Sequence, residues 1–273
     1  MTHVNRCRGV LGSGALCALA QRRDDWGIIH CVPVIYTPDN EPYLGRASVK
    51  LFDNSIVVLM RQQERIYPQT RRSGLTLIQE TACEIVPAAI SIALSIREMV
   101  RQGYLLSALI LMRPLMERTA TIWYLLKEES AIPLWKQGWP YNSRPNLNGR
   151  ICALFGADAK DSSDPGVLAI RELVRDYNGL VHGDPAAALH GAILMPDGSP
   201  GFTLSKDIRS PARADHICEQ SFLMAIALIA ACLNIFPSDD RTKSSEEATA
   251  LAALAAEYGA NQAASNASFK RHQ

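Results

Sequence analysis

The stretch Asp161-Ser-Ser-Asp-Pro165-Gly-Val-Leu-Ala-Ile170-Arg-Glu-Leu-Val-Arg175-Asp-Tyr-Asn-Gly-Leu180-Val-His-Gly-Asp-Pro185 carries a helix start, two helix faces and a helix stop. Asp164 suits the N-cap and Pro165 the first helical position. Gly183 followed by Pro185 ends the helix. In between, Ile170, Leu173, Val174, Tyr177, Leu180 and Val181 recur at helical spacing and form an apolar stripe. Arg171, Arg175, Asn178 and His182 form a second stripe, because each step of three or four residues returns close to the same side at about 100° per residue. By the same arithmetic the stripes lie roughly 125° apart. The apolar stripe belongs against a core, and the Arg/Asn/His stripe stays within reach of solvent, a substrate or a second subunit.

Working outward, the rest of the chain is also helical. Residues 75–101 have helical spacing with Pro87 inside. Residues 104–127 are apolar on nearly every side, with Pro114 inside, as expected of a helix in the middle of a bundle. Residues 147–155 form a short helix and 210–235 a last long one. The Pro196-Asp-Gly turn between two apolar runs predicts a small β-hairpin near 191–205. The expected fold is mainly α, a bundle of four to five long helices with that hairpin as an insert. Residues 1–66 are rich in Gly and Pro and read as a poorly specified N-terminal segment, in which only 28–36 and 55–60 look strand-like or short-helical. The helical domain then covers 67–237. Residues 238–273 form an Ala-rich polar tail, helical over 244–257 and disordered after it.

Composition narrows the function classes. The chain of 273 residues is 48% hydrophobic and carries a net charge of +1. A nucleic-acid site would therefore have to be a local patch. Seven cysteines, irregularly spaced and without a Cys-x2-Cys pair, fit reduced thiols in the cytoplasm rather than a zinc site. Residues 10–20 loosely imitate an export signal but are short and glycine-rich. The apolar run 222–236 falls short of the roughly 20 residues needed to span a bilayer, so it reads as a buried helix and no membrane partner is expected. His182, Asp184 and His190 follow no established metal pattern, and no phosphate loop or dinucleotide fingerprint occurs. No metal and no cofactor are expected.

Two groups of residues carry chemistry. Arg175 and His182 close one helix two turns apart, about 10.5 Å along the axis, with Asn178 between them. Metal-free RNA cleavage needs a proton acceptor and donor, a role for His, and a cation for the phosphorane, a role for Arg. The same residues also suit a plain structural role, with His182 bonding the last helix carbonyls and the arginines forming a solvated face. The second group, Arg113 and Glu117, lies one turn apart on the apolar helix 104–127. Either the two form a buried ion pair bracing Pro114, or they form a polar pocket facing the 165–182 helix, in which Glu117 orients Arg175 or His182 and Tyr177 and Arg171 take part.

The run Arg175-Asp-Tyr-Asn-Gly-Leu-Val-His182 resembles the Arg-x(4–6)-His signature of the HEPN superfamily, small helical bundles of prokaryotic defence and toxin systems. Arg113-Pro-Leu-Met-Glu117 ahead of it resembles the Arg-x3-Glu helix of uncharacterised bacterial HEPN-like proteins. The resemblance covers about 75–236. It implies a metal-independent endoribonuclease of the toxin or phage-defence type, formed where two copies meet in a homodimer. Arg175 would stabilise the phosphate, His182 would be the acid or base, and Asn178 would assist. RNA would be the substrate and an antitoxin or regulatory protein the partner. The alternative is a non-catalytic interaction or regulatory module that uses the same surface.

Overall fold

The computed structural model describes residues 20–23, 29–32, 41–69, 74–140, 142–156, 163–182, 192–194, 199–202, 206–237 and 241–270. Eight α-helices fall in these residues: α1 Ala47–Gln69, α2 Leu77–Gln102, α3 Leu105–Lys127, α4 Ile132–Lys136, α5 Leu147–Leu154, α6 Pro165–His182, α7 Pro211–Ile235 and α8 Arg241–Lys270. The mainly α expectation holds. Ala20–Arg23 pairs antiparallel with Ile29–Val32, and Ala192–Leu194 with Pro200–Phe202. Three residue pairs do not support the hairpin insert expected over 191–205, whose turn lies outside the described residues. A two-stranded pairing of that length contributes little stability of its own.

The core is built by α2 and α3 packed side by side, with α7 laid against both and α1 against α7. Helix α2 starts with a capping box. Thr76 Oγ1 accepts from Gln79 N at 3.3 Å and Gln79 Oε1 accepts from Thr76 N at 3.1 Å. It ends at Gly103, whose φ of +79° is left-handed, a region glycine enters without a Cβ penalty. A side chain there would also crowd Ile208 Cγ2, 3.3 Å from the added Cβ. The turn is tied to the segment before α7 by Asp207 N donating to Gly103 O at 2.8 Å.

Helix α3 has Ala108, Met112, Leu115, Met116, Thr119, Ala120 and Ile122 fully or almost fully buried on several sides. Helices α2 and α7 are long and apolar enough to cross a membrane by length and composition alone. In the fold much of each is turned inward, with Ala82, Val86, Ile90 and Ile96 of α2 and Ile217, Phe222, Leu228 and Ile229 of α7 in the core.

Two boundaries differ from expectation. The division at 67 falls inside α1, so 47–66 is part of the helical body and not an irregular segment. Its inward face runs Ser48, Leu51, Phe52, Ser55, Ile56, Leu59, Gln62 and Ile66, all buried. Ser55 and Gln62 break the apolar period, and the β-branched Ile56-Val57-Val58 looks extended in sequence. The tail also departs from expectation. Helix α8 runs to Lys270, past the expected 257. Ala-rich sequence favours helix, and Leu254 with Tyr258 docks it, because Leu51, Phe222 and Leu254 form a small apolar cluster. The Tyr258 ring stacks on Phe222 with centroids 5.3 Å apart.

Candidate functional site

Helix α6 forms as its sequence dictates. Asp164 Oδ1 accepts from Gly166 N at 2.7 Å and Asp164 O from Leu168 N at 3.1 Å, which caps the helix. Val167, Ile170, Val174, Tyr177 and Leu180 are buried. Val181, expected among them, is 45% exposed, because it lies at the edge of the stripe on the last turn.

The second stripe faces outward into a groove of about 440 Å³. Arg171, Arg175, Asn178 and His182 all line it, joined by Val174, by Gly179 and by Asn148 of α5. Glycine costs about 1 kcal/mol in a helix interior relative to alanine. Here Gly179 belongs to the lining of the groove. The Arg175 guanidinium is 73% exposed, with Asp176 Oδ1 3.5 Å away. Such an exposed pair is weak and leaves Arg175 ready for another anion. The floor is polar. Asn148 Oδ1 and Asn178 Oδ1 are buried and, among the described residues, accept no hydrogen bond. Each is an acceptor waiting for an N–H or O–H donor.

Tyr177 does not join a polar pocket. It is 2% exposed on the core face of α6, and its hydroxyl has no partner among the described residues. Burial, helped by the Asp176 charge, pushes its pKa far up, so it stays a neutral phenol.

Arg113 and Glu117 also differ from expectation. Glu117 pairs neither with Arg113 nor with α6. Its Oε1 takes Arg150 Nη2 of α5 at 3.3 Å and the guanidinium of Arg144, from the loop before α5. Glu117 therefore orients neither Arg175 nor His182. Helix α5 packs on both α3 and α6, and α3 also packs on α6. Arg150 is 2% exposed, and its Nη1 donates to Thr121 Oγ1. Thr121 in turn donates to Glu117 O at 2.6 Å. Arg113 Nη1 and Arg150 Nε are buried and donate to nothing among the described residues. Burial, then Arg144, lowers the Arg113 pKa. Burial, then Arg144 and Arg113, brings Arg150 down to about 10. Both remain cations near neutral pH.

Arg150, Arg144 and Asn148 are the residues that sequence reasoning missed. One signal was present: Arg150 is the sole charge in the eight residues of α5 and directly precedes the buried Ile151 and Cys152.

Among the described residues no cluster of His, Cys, Asp and Glu could hold a metal. Asp184 and His190 lie outside the described residues. Cys83, Cys152, Cys218 and Cys232 are free thiols. Burial pushes Cys218 up to about 12, so it is an inert packing group. No family model, curated protein or solved structure matches the chain.

Proposed function

We propose that this chain is a HEPN-like helical protein that cleaves RNA without a metal, acting as a cytoplasmic homodimer. One observation supports this above the others: Arg175, Asn178 and His182 line one solvent-open groove, with unpartnered amide oxygens on its floor. Arg175 holds the scissile phosphate through its planar fork. His182, exposed at the last turn of α6, exchanges the proton of the 2′-OH or of the leaving oxygen. Asn178 and Asn148 accept donors from sugar or base. The two turns between Arg175 and His182 are too long for both to act on one phosphate from one copy, so a second copy supplies the opposing group.

An alternative function is a non-catalytic interaction module. It is favoured by Leu168, 46% exposed one turn before Arg171 on the same stripe, which gives that face an apolar contact. Incubating the purified protein with RNA in EDTA, over a concentration series that spans the monomer–dimer transition, separates the two. Cleavage that survives EDTA and follows the dimer supports the nuclease. A dimer that leaves RNA intact supports the module.

A further inference from the structure

The second polar cluster, between α3 and α5, has an unbalanced charge. Arg144 and Arg150 both contact the single carboxylate of Glu117, and Arg113, which does not, lies close enough to repel both guanidinium groups. Three guanidinium groups less one carboxylate leave a charge of +2. Buried cations without counter-charge are costly. Two donors in this cluster, Arg113 Nη1 and Arg150 Nε, are buried with no acceptor among the described residues, and Arg150 is 98% buried by its 2% exposure. The cluster is still accessible, because the Arg144 side chain is 54% exposed and that of Glu117 26%. It is separate from the α6 groove: Asn148 faces the groove, and Arg150 lies about 200° further around α5.

We propose that Arg113, Arg144 and Arg150 form a binding site for a phosphate dianion, free or as the terminal group of a small phosphate ester. The dianion matches the +2 charge, and its oxygens supply acceptors for the donors left without one, Arg113 Nη1 and Arg150 Nε. Arg144 closes over it from the loop, exchanging its contact with Glu117 for one with the ligand. The site does not depend on RNA cleavage.

Calorimetric titration of the intact protein tests it, with inorganic phosphate, a nucleoside monophosphate and the unphosphorylated nucleoside, at constant ionic strength set by chloride. Inorganic phosphate should bind saturably, one per chain. A tighter nucleoside monophosphate would identify an ester as the natural ligand, and equal affinity would identify free phosphate. Arg144→Gln changes an exposed residue and should leave the fold intact; it should weaken binding about tenfold or more through loss of a charge-assisted hydrogen bond. Glu117→Gln should tighten it, since the competing carboxylate is gone. Arg175→Ala should leave it unchanged. The proposal is overturned if phosphate does not saturate or if the bare nucleoside binds as well. It is equally overturned if Arg144→Gln binds like the wild type, or if Arg175→Ala abolishes binding and so places the anion in the α6 groove.

Discussion

Two polar regions of the bundle use arginine in opposite ways. Where α1, α2 and α7 meet, each arginine has its counter-charge. Arg97 lies between Glu41, 2.6 Å from its Nη2, and Asp53. Arg46 holds Asp215, with Nε 2.7 Å from Oδ1, and Ser48 adds a hydrogen bond to the same carboxylate. Arg213 reaches Asp207 at 2.9 Å. Three arginines there meet four carboxylates. Where α3 and α5 meet, Arg113, Arg144 and Arg150 cluster near one carboxylate, Glu117, which only Arg144 and Arg150 contact. The first region fastens elements that are distant in sequence, Glu41 to Arg97 and Arg46 to Asp215. Both regions hold buried arginine nitrogens without a partner among the described residues, Arg97 Nη1 in the first and Arg113 Nη1 and Arg150 Nε in the second, so the difference lies in the balance of charge.

The sharpest way to break this contrast is to remove a cation from each region. Arg97→Met strands Glu41, whose side chain is 9% exposed, and should destabilise by about 3–5 kcal/mol in chemical denaturation. Arg113→Met removes a buried cation with no carboxylate of its own, and should cost less than about 1 kcal/mol or even stabilise. Equal losses would show that Arg113 is structurally compensated and that the two regions do not differ.

Glu117→Ala probes the weak region from its other side. It leaves Arg150 buried with Thr121 as its remaining partner, so a loss of about 3 kcal/mol is expected, near the low end for a broken buried pair because Glu117 is partly solvated. A loss under about 0.5 kcal/mol would place the whole cluster effectively in water.

The smallest effect concerns Asp215. Burial pulls its pKa up, but hydrogen bonds from Arg46 and Ser48 outweigh this and leave it below the ordinary 3.8. A carboxylate held below its unfolded value stabilises the fold above that pH, and the contribution is lost as pH falls through the folded value. Arg46 is 39% exposed, so screening keeps the contribution below about 1 kcal/mol. The difference in Tm between wild type and Asp215→Asn should therefore shrink as pH drops below 3.8. A difference that is constant across that range would mean Asp215 does not titrate against Arg46.

Helix α6 and its stripe were legible because everything that defines them is local. Asp164-Pro165 starts the helix, Gly183 lies just past its end, and the two faces follow from its own period. The long helices α2, α3 and α7 were legible for the same reason. The α3–α5 cluster was not. Glu117 and Arg150 are 33 residues apart, and α5 is eight residues long in a loop-rich stretch, too short for a period to mark its faces. The expected pairing of Glu117 with Arg113, one turn away, lost to partners that tertiary packing supplied. Helix α1 was obscured by Ser55 and Gln62, polar residues buried at 0% exposure on its inner face. Composition counts such residues as surface, and only the helices packed against them decide otherwise.

We propose that the outward stripe of α6 does chemistry while the fold rests on its inward stripe. RNA cleavage in EDTA by wild type, His182→Ala and Arg175→Ala, each matched for circular dichroism and Tm, tests it most directly. Both side chains are exposed, so neither change should unfold the protein. Wild-type protein should cleave, and both variants should be folded and silent. Cleavage by either variant at the wild-type rate, or a His182→Ala protein that loses its fold, would contradict it.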